Sequence, residues 1–206
     1  MGIGRIADGQ PLERKRRDGR ALLLDGARQL LAEKGYAGME LRDVAARGHA
    51  PRGSIYHHFP GGKTQLAVEA AELEGTEIRD LIERSLAERG LAQTLTAFGE
   101  MFRRRVKDKP ERLGCPVAAA ALARPEDPDL AAAATAAFES WEAPIAAALR
   151  DEGLGARDAE TFAGLVVSTV EGALVRARAA ADQAPLDSAV AGLQQALAAL
   201  LSGTRA

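Results

Sequence analysis

Apolar residues recur every three or four positions through most of the chain, which is the spacing that places them on one face of an α-helix. The first clear run begins near Asp18 and stops at Gly35, a residue type that commonly ends helices. Its apolar members are Leu22, Leu23, Ala27, Leu30 and Leu31. The run predicts one helix from about residue 18 to residue 35.

Two short helices are predicted next. The stretch LRDVAAR, residues 41–47, buries its apolar positions on one side, and Gly48 ends it. Pro51 suits the first position of a helix, so PRGSIYHH is predicted as a second short helix over residues 51–58. The run Phe-Pro-Gly-Gly at 59–62 closes it.

The rest of the chain continues the helical pattern. A longer helix is predicted from Lys63 to about Ser85, and glycines and prolines divide the remaining residues into shorter segments. The further predicted helices span 91–107, 115–124, 128–152, 157–181 and 186–202. Pro144 lies inside one of them and is expected to kink it. Since aromatic residues make up only 4% of a chain that is 47% hydrophobic, strand formers are scarce and the prediction is an all-α protein.

Charge divides the chain into a basic front and an acidic remainder. Residues 1–63 hold 12 Lys and Arg against 7 Asp and Glu, whereas residues 64–206 hold 15 against 22. A basic module joined to an acidic one favours contact between the first and a polyanion. Charge alone leaves an ordinary solvated surface equally open.

Several kinds of protein are disfavoured by what the sequence lacks. The single cysteine cannot form an intramolecular disulfide, and no Cys/His spacing predicts a zinc site or any other cofactor. No apolar run reaches membrane-spanning length and no signal-peptide pattern is seen, so a cytoplasmic chain without membrane contact is expected. All three histidines lie within residues 49–58, and no nucleophile and base pairing is recognisable, which argues against an enzyme.

Two short helices preceded by a longer one are the arrangement of a helix-turn-helix, whose second helix enters the major groove of DNA. Gly53 keeps that helix thin on its leading face. The candidate donors to phosphates and base edges are Arg52, Ser54, Tyr56 and His57. Spacing alone leaves open that Tyr56, His57 and His58 only form a helical corner.

The stretch LRDVAARGHAPRGSIYHHFPGGKTQL, residues 41–66, resembles the DNA-binding domain of TetR-family transcriptional repressors. That family typically shows alanines in the bracing helix, a Gly-Ser-Ile-Tyr-x-His-Phe recognition segment and a following Lys-x-x-Leu. The resemblance runs from about Arg20 to Val68. The glycine pair before Lys63 and the segment GCPVAAAAL, residues 114–122, resemble the LmrA/YxaF-like branch.

The resemblance implies roles at matching positions. Lys63 matches the lysine that opens the fourth helix beside a phosphate. The predicted DNA-binding set is Arg42, Arg52, Ser54, Tyr56, His57 and Lys63. Two positions depart from the pattern: His49 stands where the turn glycine is usual, and Glu40 replaces a helix-capping Ser or Thr. His49 must accept unusual dihedrals or the turn must shift.

The resemblance also implies a domain plan. Residues 1–17 are expected to form a flexible basic arm, 18–65 the helix-turn-helix domain, and 66–206 a helical ligand-binding and dimerisation domain. The segments 157–181 and 186–202 each carry a broad apolar face suited to a four-helix dimer interface, although both faces also suit an intramolecular core.

A largely apolar small-molecule inducer is the expected ligand. The predicted ligand-binding residues are Phe98, Met101, Phe102, Phe138, Trp141, Phe162 and Glu171. Most of these bulky side chains also suit an ordinary core, and Glu171 either recognises a cation or hydrogen-bond donor or reaches solvent. Cys115 stands at a predicted helix start, where a reactive thiol and a small buried side chain are both open.

Together these patterns predict a TetR-like repressor that binds a near-palindromic double-stranded DNA operator as a homodimer and is released by a small molecule. The alternatives are a helical interaction module and a small helical enzyme, neither of which binds DNA.

Overall fold

The computed structural model describes residues 19–50, 53–105, 114–123 and 127–203, and all regular secondary structure in these ranges is α-helical. The all-α prediction is therefore confirmed. The helices are α1 Gly19–Gly38, α2 Leu41–Arg47, α3 Gly53–His58, α4 Gly62–Arg89, α5 Leu91–Arg105, α6 Pro116–Ala121, α7 Pro128–Asp151, α8 Ala156–Ala180 and α9 Ala184–Gly203. The predicted arm, residues 1–17, lies outside the described residues.

Glycines and capping groups set the helix ends close to their predicted positions. Gly35 has a φ of 70° and interrupts α1, but the chain resumes helical geometry to Gly38. Gly90, with a φ of 78°, ends α4 four residues beyond the expected limit near Ser85. The side chain of Asp127 accepts a hydrogen bond from the Leu130 amide at 3.1 Å and so caps α7, which runs on through Pro144 as one helix.

The first three helices share a small apolar core. Leu23 and Leu30 of α1 are buried against Val44 of α2 and Ile55 of α3, and Phe59 closes the core after α3. The order α1, α2, α3 therefore gives the helix-turn-helix layout that the sequence predicts, with α3 held by one buried apolar side chain and the aromatic residue after it.

The long helix α4 connects this domain to the rest of the molecule. It packs against α1 at its beginning and against α5, α6 and α7 along its length, while α7 packs on α8 and α8 on α9. One continuous apolar core runs from α1 to α9. Within the described ranges, the helices fall short of the length or the apolar character needed to cross a bilayer.

Candidate DNA-binding surface and ligand cavity

In the turn between α2 and α3, the positive φ angle and the close backbone contact are found at two neighbouring residues, His49 and Gly48. His49 has a φ of 50°, in the left-handed region that side chains other than glycine rarely adopt. Gly48 has ordinary helical dihedrals. A Cβ at Gly48 would stand 2.9 Å from the carbonyl oxygen of Leu22, so this glycine permits close approach to the α1 backbone. The left-handed residue of the turn is therefore His49, while Gly48 allows α2 to pack closely on the backbone of α1.

The outer face of α3 presents the residues predicted to read DNA. Tyr56 is 64% exposed, and Gly53 and His57 are also exposed. Ser54 is partly exposed. No described residue outside its chain neighbours lies within 4 Å of the position that a Cβ on Gly53 would take. Arg52, the remaining predicted member of α3, lies outside the described residues.

Lys63 is held at the start of α4 by the end of α1. Its ammonium group lies 4.5 Å from the centre of the Tyr36 ring and donates to the carbonyl oxygen of Ala37 at 3.4 Å. A cation over an aromatic face is favoured electrostatically. The amine is therefore positioned beside the first turn of α4, where helix N-termini attract anions.

Intramolecular ion pairs occupy many basic side chains of the N-terminal domain. Arg42, predicted to bind DNA, lies 2.9 Å from Glu40 and 3.5 Å from Asp43. Lys34 also binds Asp43, and its hydrogen bond lowers the pKa of that carboxyl group. Further pairs join Arg20 to Glu69, Arg47 to Glu33, and Arg28 to Asp25, Glu74 and Glu77. Both Arg42 pairs use its Nε atom, and the Arg42 side chain is 60% exposed.

Tyr36 links the N-terminal domain to the helices behind it. Its hydroxyl lies 2.9 Å from the Thr64 hydroxyl of α4 and donates to the Asp127 carboxylate of α7 at 3.1 Å. Burial alone would raise the pKa of Asp127, but hydrogen bonds from Thr64, the Leu130 amide and Tyr36 lower it overall. One buried carboxylate thus caps α7 and joins α1 to it. Sequence reasoning missed Asp127, although an Asp before a helix-starting proline is a capping signal.

Four of the predicted ligand residues form an aromatic cluster in the core. The ring centres of Phe98 and Phe102 are 5.7 Å apart, and Trp141 lies 6.3 Å from Phe98 and 5.2 Å from Phe138. The Trp141 indole donates to the carbonyl oxygen of Gly75 at 2.8 Å, which fixes α7 on α4. Phe162 is buried on α8, and Met101 is partly buried against the core.

A cavity of about 460 Å³ lies between the end of α1, the short helix α6 and the second half of α8. Of the predicted ligand residues, Glu171 lines it, whereas the aromatic cluster does not. Leu31 and Leu174 form apolar walls, and Leu122 and Val175 stand at its open side with exposures of 84% and 68%. The volume suits a small organic molecule.

Oε1 of Glu171 is buried, whereas the residue as a whole is partly exposed. Burial raises its pKa to about 7, a hydrogen bond from the Cys115 thiol opposes the rise, and the Glu74 carboxylate adds to it. Its Oε1 atom has no hydrogen-bond partner in the described part of the chain. Burial also raises the pKa of the Cys115 thiol, so the geometry favours the buried small residue over the reactive thiol.

Arg178 lies on the same face of α8 as Glu171, two turns further along. Its guanidinium donates to the carbonyl oxygen of Ala32 at 2.8 Å and to that of Glu33. These two carbonyls belong to the last helical turns of α1. The cavity therefore has a buried acid on one side and, at its edge, a cation bonded to α1. Sequence reasoning missed Arg178 because its partners lie 146 and 145 positions away.

Comparison with known proteins agrees with this arrangement. Residues 23–70 match the family model described as bacterial regulatory proteins, tetR family. The chain is 34% identical over 174 residues to the uncharacterized HTH-type transcriptional regulator MT0206 of Mycobacterium tuberculosis, a match that covers 82% of this chain and 88% of that protein. The chain belongs to the TetR family of transcriptional regulators.

Its C-terminal half points to one branch of that family. Residues 91–191 match the model described as transcriptional regulator LmrA/YxaF-like, C-terminal domain. The chain is 30% identical to YxaF of Bacillus subtilis over 83% of this chain and 91% of that one, and 29% identical to LmrA of the same organism over 82% and 91%. The resemblance stated from the sequence is confirmed.

Solved structures share the fold at lower sequence identity. The regulatory protein TetR from Rhodobacter sphaeroides is 24% identical and superposes with a TM-score of 0.76 over 86% of this chain and 97% of that one. A TetR transcriptional regulator from Legionella pneumophila is 20% identical, with a TM-score of 0.79 over 88% and 98%.

Proposed function

We propose that this protein is a repressor that binds a near-palindromic operator as a homodimer through α3 and leaves it when a small molecule occupies the C-terminal domain. The exposed face of α3, held from behind by Ile55 and Phe59, is the observation that carries the DNA-binding part of this proposal. An exposed tyrosine beside an exposed histidine supplies donors for phosphates and base edges.

The predicted DNA-binding residues take separate parts in this proposal. Ser54, Tyr56 and His57 face the groove, and Lys63, held by Tyr36 and Ala37, meets a phosphate at the start of α4. Arg42, exposed beside Glu40 and Asp43, contributes a phosphate contact from α2. Arg52 belongs to the proposed set by its place in the sequence.

A second copy of the chain is the proposed partner of the outer faces of α8 and α9. Most of the apolar positions expected at the interface, among them Phe162, Val166 and Val170, are buried within the chain. The exposed stripes recur every three or four residues and carry no charge, a pattern suited to helix packing. They are Thr161, Leu165, Ser168 and Gly172 on α8, and Ser188, Ala191, Gln195, Ala198 and Ser202 on α9.

A dimer of this kind presents two copies of α3. Recognition helices about 34 to 36 Å apart occupy successive major grooves on one side of DNA. A ligand that binds more tightly to a dimer conformation with a different spacing of the two helices lowers operator affinity, by a coupling free energy of about 1 to 3 kcal/mol. Both α4, which joins the domains, and the end of α1, which borders the cavity, are placed to transmit such a change.

The recognition helix is tested by Tyr56→Ala. We expect specific operator binding to be lost, because the substitution removes the most exposed large side chain of α3 without touching its buried face. Fluorescence anisotropy with DNA from the promoter next to the protein's own gene measures the affinity, and light scattering checks that the oligomer persists.

Tyr56→Phe is the matched variant, since it keeps the ring and removes only the hydroxyl. If the hydroxyl binds DNA, Tyr56→Phe should lose part of the affinity that Tyr56→Ala loses. Unchanged specific binding by Tyr56→Ala would show that α3 does not read the operator in this way.

A further inference from the structure

The cavity between α1, α6 and α8 combines apolar walls with one buried charged group. Four residues on one face of α8 line it from the interior to the rim: Glu171, Leu174, Val175 and Arg178. Their spacing of three, one and three residues places them on successive turns of one side of the helix. Leu122 faces the opening from the end of α6 and is 84% exposed, so an apolar surface is left uncovered at the mouth.

Glu171 is the cavity-lining residue with a buried, unpaired polar atom among the described residues. Oε1 of this carboxylate is shielded from solvent and accepts no hydrogen bond from the described residues. A buried oxygen without a donor costs free energy, and the cost is larger when the group is charged. An occupant that supplies a donor to Oε1 removes that cost.

Charge around Glu171 selects the kind of donor. Cys115 on α6 and Glu74 on α4 act on it, and the same cavity is lined by Arg178 on α8 and by Glu33, Lys34 and Tyr36 on α1. Glu74 is a second buried carboxylate that acts on Glu171, and the guanidinium of Arg28 lies 3.5 Å from it. Arg178 directs its guanidinium outward to the carbonyls of Ala32 and Glu33. The inner end of the cavity therefore favours positive charge.

A neutral hydroxyl would satisfy the free lone pair but would leave the charge of the carboxylate uncompensated. An ammonium group supplies both a donor and the opposite charge. The cavity is also lined by the apolar side chains of Leu31, Ala118 and Leu174, which suit the hydrocarbon part of such a molecule, and by the polar residues Glu33, Lys34 and Tyr36 of α1.

We propose that this cavity is the effector site and that it takes an apolar amine, whose ammonium group binds Glu171 while its hydrocarbon part covers Leu122 and Val175. This inference rests on the proposed ligand-released repressor function, and it places the effector at the α1 border rather than in the aromatic cluster around Trp141. An occupant there touches the backbone of α1 between Leu31 and Ala37, so it acts on the DNA-binding domain directly.

The test uses 1-naphthylmethylamine and 1-naphthalenemethanol, which share a ring system and differ only in the ammonium or hydroxyl group. Calorimetric titration of the full chain at pH 8 should show the amine binding about tenfold or more tightly than the alcohol, as expected for a charged hydrogen bond. The affinity for the amine should rise between pH 6 and pH 8, because Glu171 then loses its proton while the amine keeps its own.

Substitution identifies the carboxylate. Glu171→Gln should weaken amine binding about tenfold or more and leave alcohol binding nearly unchanged. Glu142→Gln is the matched control, since Glu142 is a partly exposed carboxylate on α7 that does not line the cavity, and it should leave both affinities unchanged. Equal affinities for amine and alcohol, or amine binding unaffected by Glu171→Gln, would overturn the proposal.

A second variant locates the site should Glu171→Gln fail to fold. Ala119→Leu fills the cavity from α6 and should weaken binding of both probes. Unchanged binding by this variant would place the probes elsewhere, for instance in the aromatic cluster, and reject the cavity. Operator binding by the wild-type chain without any probe is measured in parallel. If the wild-type chain binds the operator but not the amine, this inference alone is refuted. If it does not bind the operator, the proposed repressor function is refuted.

Discussion

At the scale of single residues, the turn before α3 contains a local strain at His49, one of the two outcomes that the sequence left open. His49 adopts a φ of 50° where the family pattern has glycine, and its side chain is exposed. Left-handed geometry costs a residue with a side chain about 1 to 2 kcal/mol. Replacing such a residue by glycine removes this strain but also increases the conformational entropy of the unfolded chain, which offsets part of the gain. The turn is thus formed at some expense of stability.

His49→Gly should raise the free energy of unfolding by up to about 1 kcal/mol, since it relieves the strained dihedral. Urea unfolding followed by circular dichroism measures the change. His49→Ala keeps the strain and should not stabilise. A stability gain of equal size in both variants would mean that the imidazole, rather than the backbone angle, is the source.

Glu171 makes stability depend on pH near neutrality. Its pKa rises from 4.5 to about 7 on folding, so the folded chain retains a proton that the unfolded chain releases between these values. The stability is therefore fullest below pH 4.5 and is lost as pH rises through about 7. A shift of this size corresponds to about 3 kcal/mol.

Glu171→Gln cannot ionise and should remove this loss. The unfolding free energy of the variant minus that of the wild type should be larger at pH 8 than at pH 5, by on the order of 2 to 3 kcal/mol. Denaturant unfolding at the two pH values tests this. The same difference between the two proteins at both pH values would show that the carboxyl group titrates normally.

At the scale of elements, the contact between α1 and the start of α7 joins the domains. The Tyr36 hydroxyl bridges Thr64 and Asp127, and the Asp127 carboxylate also caps α7. Because the pKa of Asp127 is lowered from 3.8, the contact stabilises the fold above that value and is lost as pH falls below it.

Tyr36→Phe should lower the free energy of unfolding at pH 7 by about 1 to 3 kcal/mol, since a buried carboxylate loses one of its donors. The difference from wild type should shrink below about pH 4 as Asp127 is protonated. Tyr56→Phe, which removes a hydroxyl from the exposed face of α3, is the control and should leave stability unchanged. An equal loss in both variants would contradict a role for the bridge.

The helices themselves could be predicted closely because their signals are local. The break at Gly35, the proline starts of α6 and α7 and the end of α4 at Gly90 all depend on residues within one turn of the boundary. The exposed face of α3 could be predicted for the same reason, since a six-residue helix has one buried side.

The cavity could not be predicted, because its walls come from three helices far apart in sequence. Bulky side chains suggested a pocket around Trp141, yet the same bulk lets those rings fill their own space. The opening arises where α6 offers only alanines opposite α8. Glu171 was recognisable as an acid among apolar neighbours, but its missing hydrogen-bond partner depends on tertiary packing.

At the scale of the whole molecule, the uncharged outer faces of α8 and α9 bear on assembly. Leu165 is 48% exposed and lies in the middle of the α8 stripe. Leu165→Glu should lower the mass measured by light scattering at micromolar concentration to that of one chain, because the carboxylate cannot be buried unpaired between two copies.

Ala136→Glu places the same charge on an exposed position of α7 and should leave the mass unchanged. A wild-type mass equal to one chain would remove the dimer from the proposal. A dimer that persists in Leu165→Glu would move the interface to another face of the molecule.

The hydrogen bonds from Arg178 to α1 also bear on how the protein is made. They join positions 146 and 145 residues apart, so α1 leaves the ribosome long before its partner on α8 has been synthesised. Contacts this distant in sequence form late, after the intervening chain has been ordered. The carbonyl groups near the end of α1 therefore receive these hydrogen bonds only after α8 has been synthesised. In a nascent or truncated chain that ends before α8, the carbonyl groups of Ala32 and Glu33 lack these two donors, so the end of α1 is less stabilised until α8 has been made.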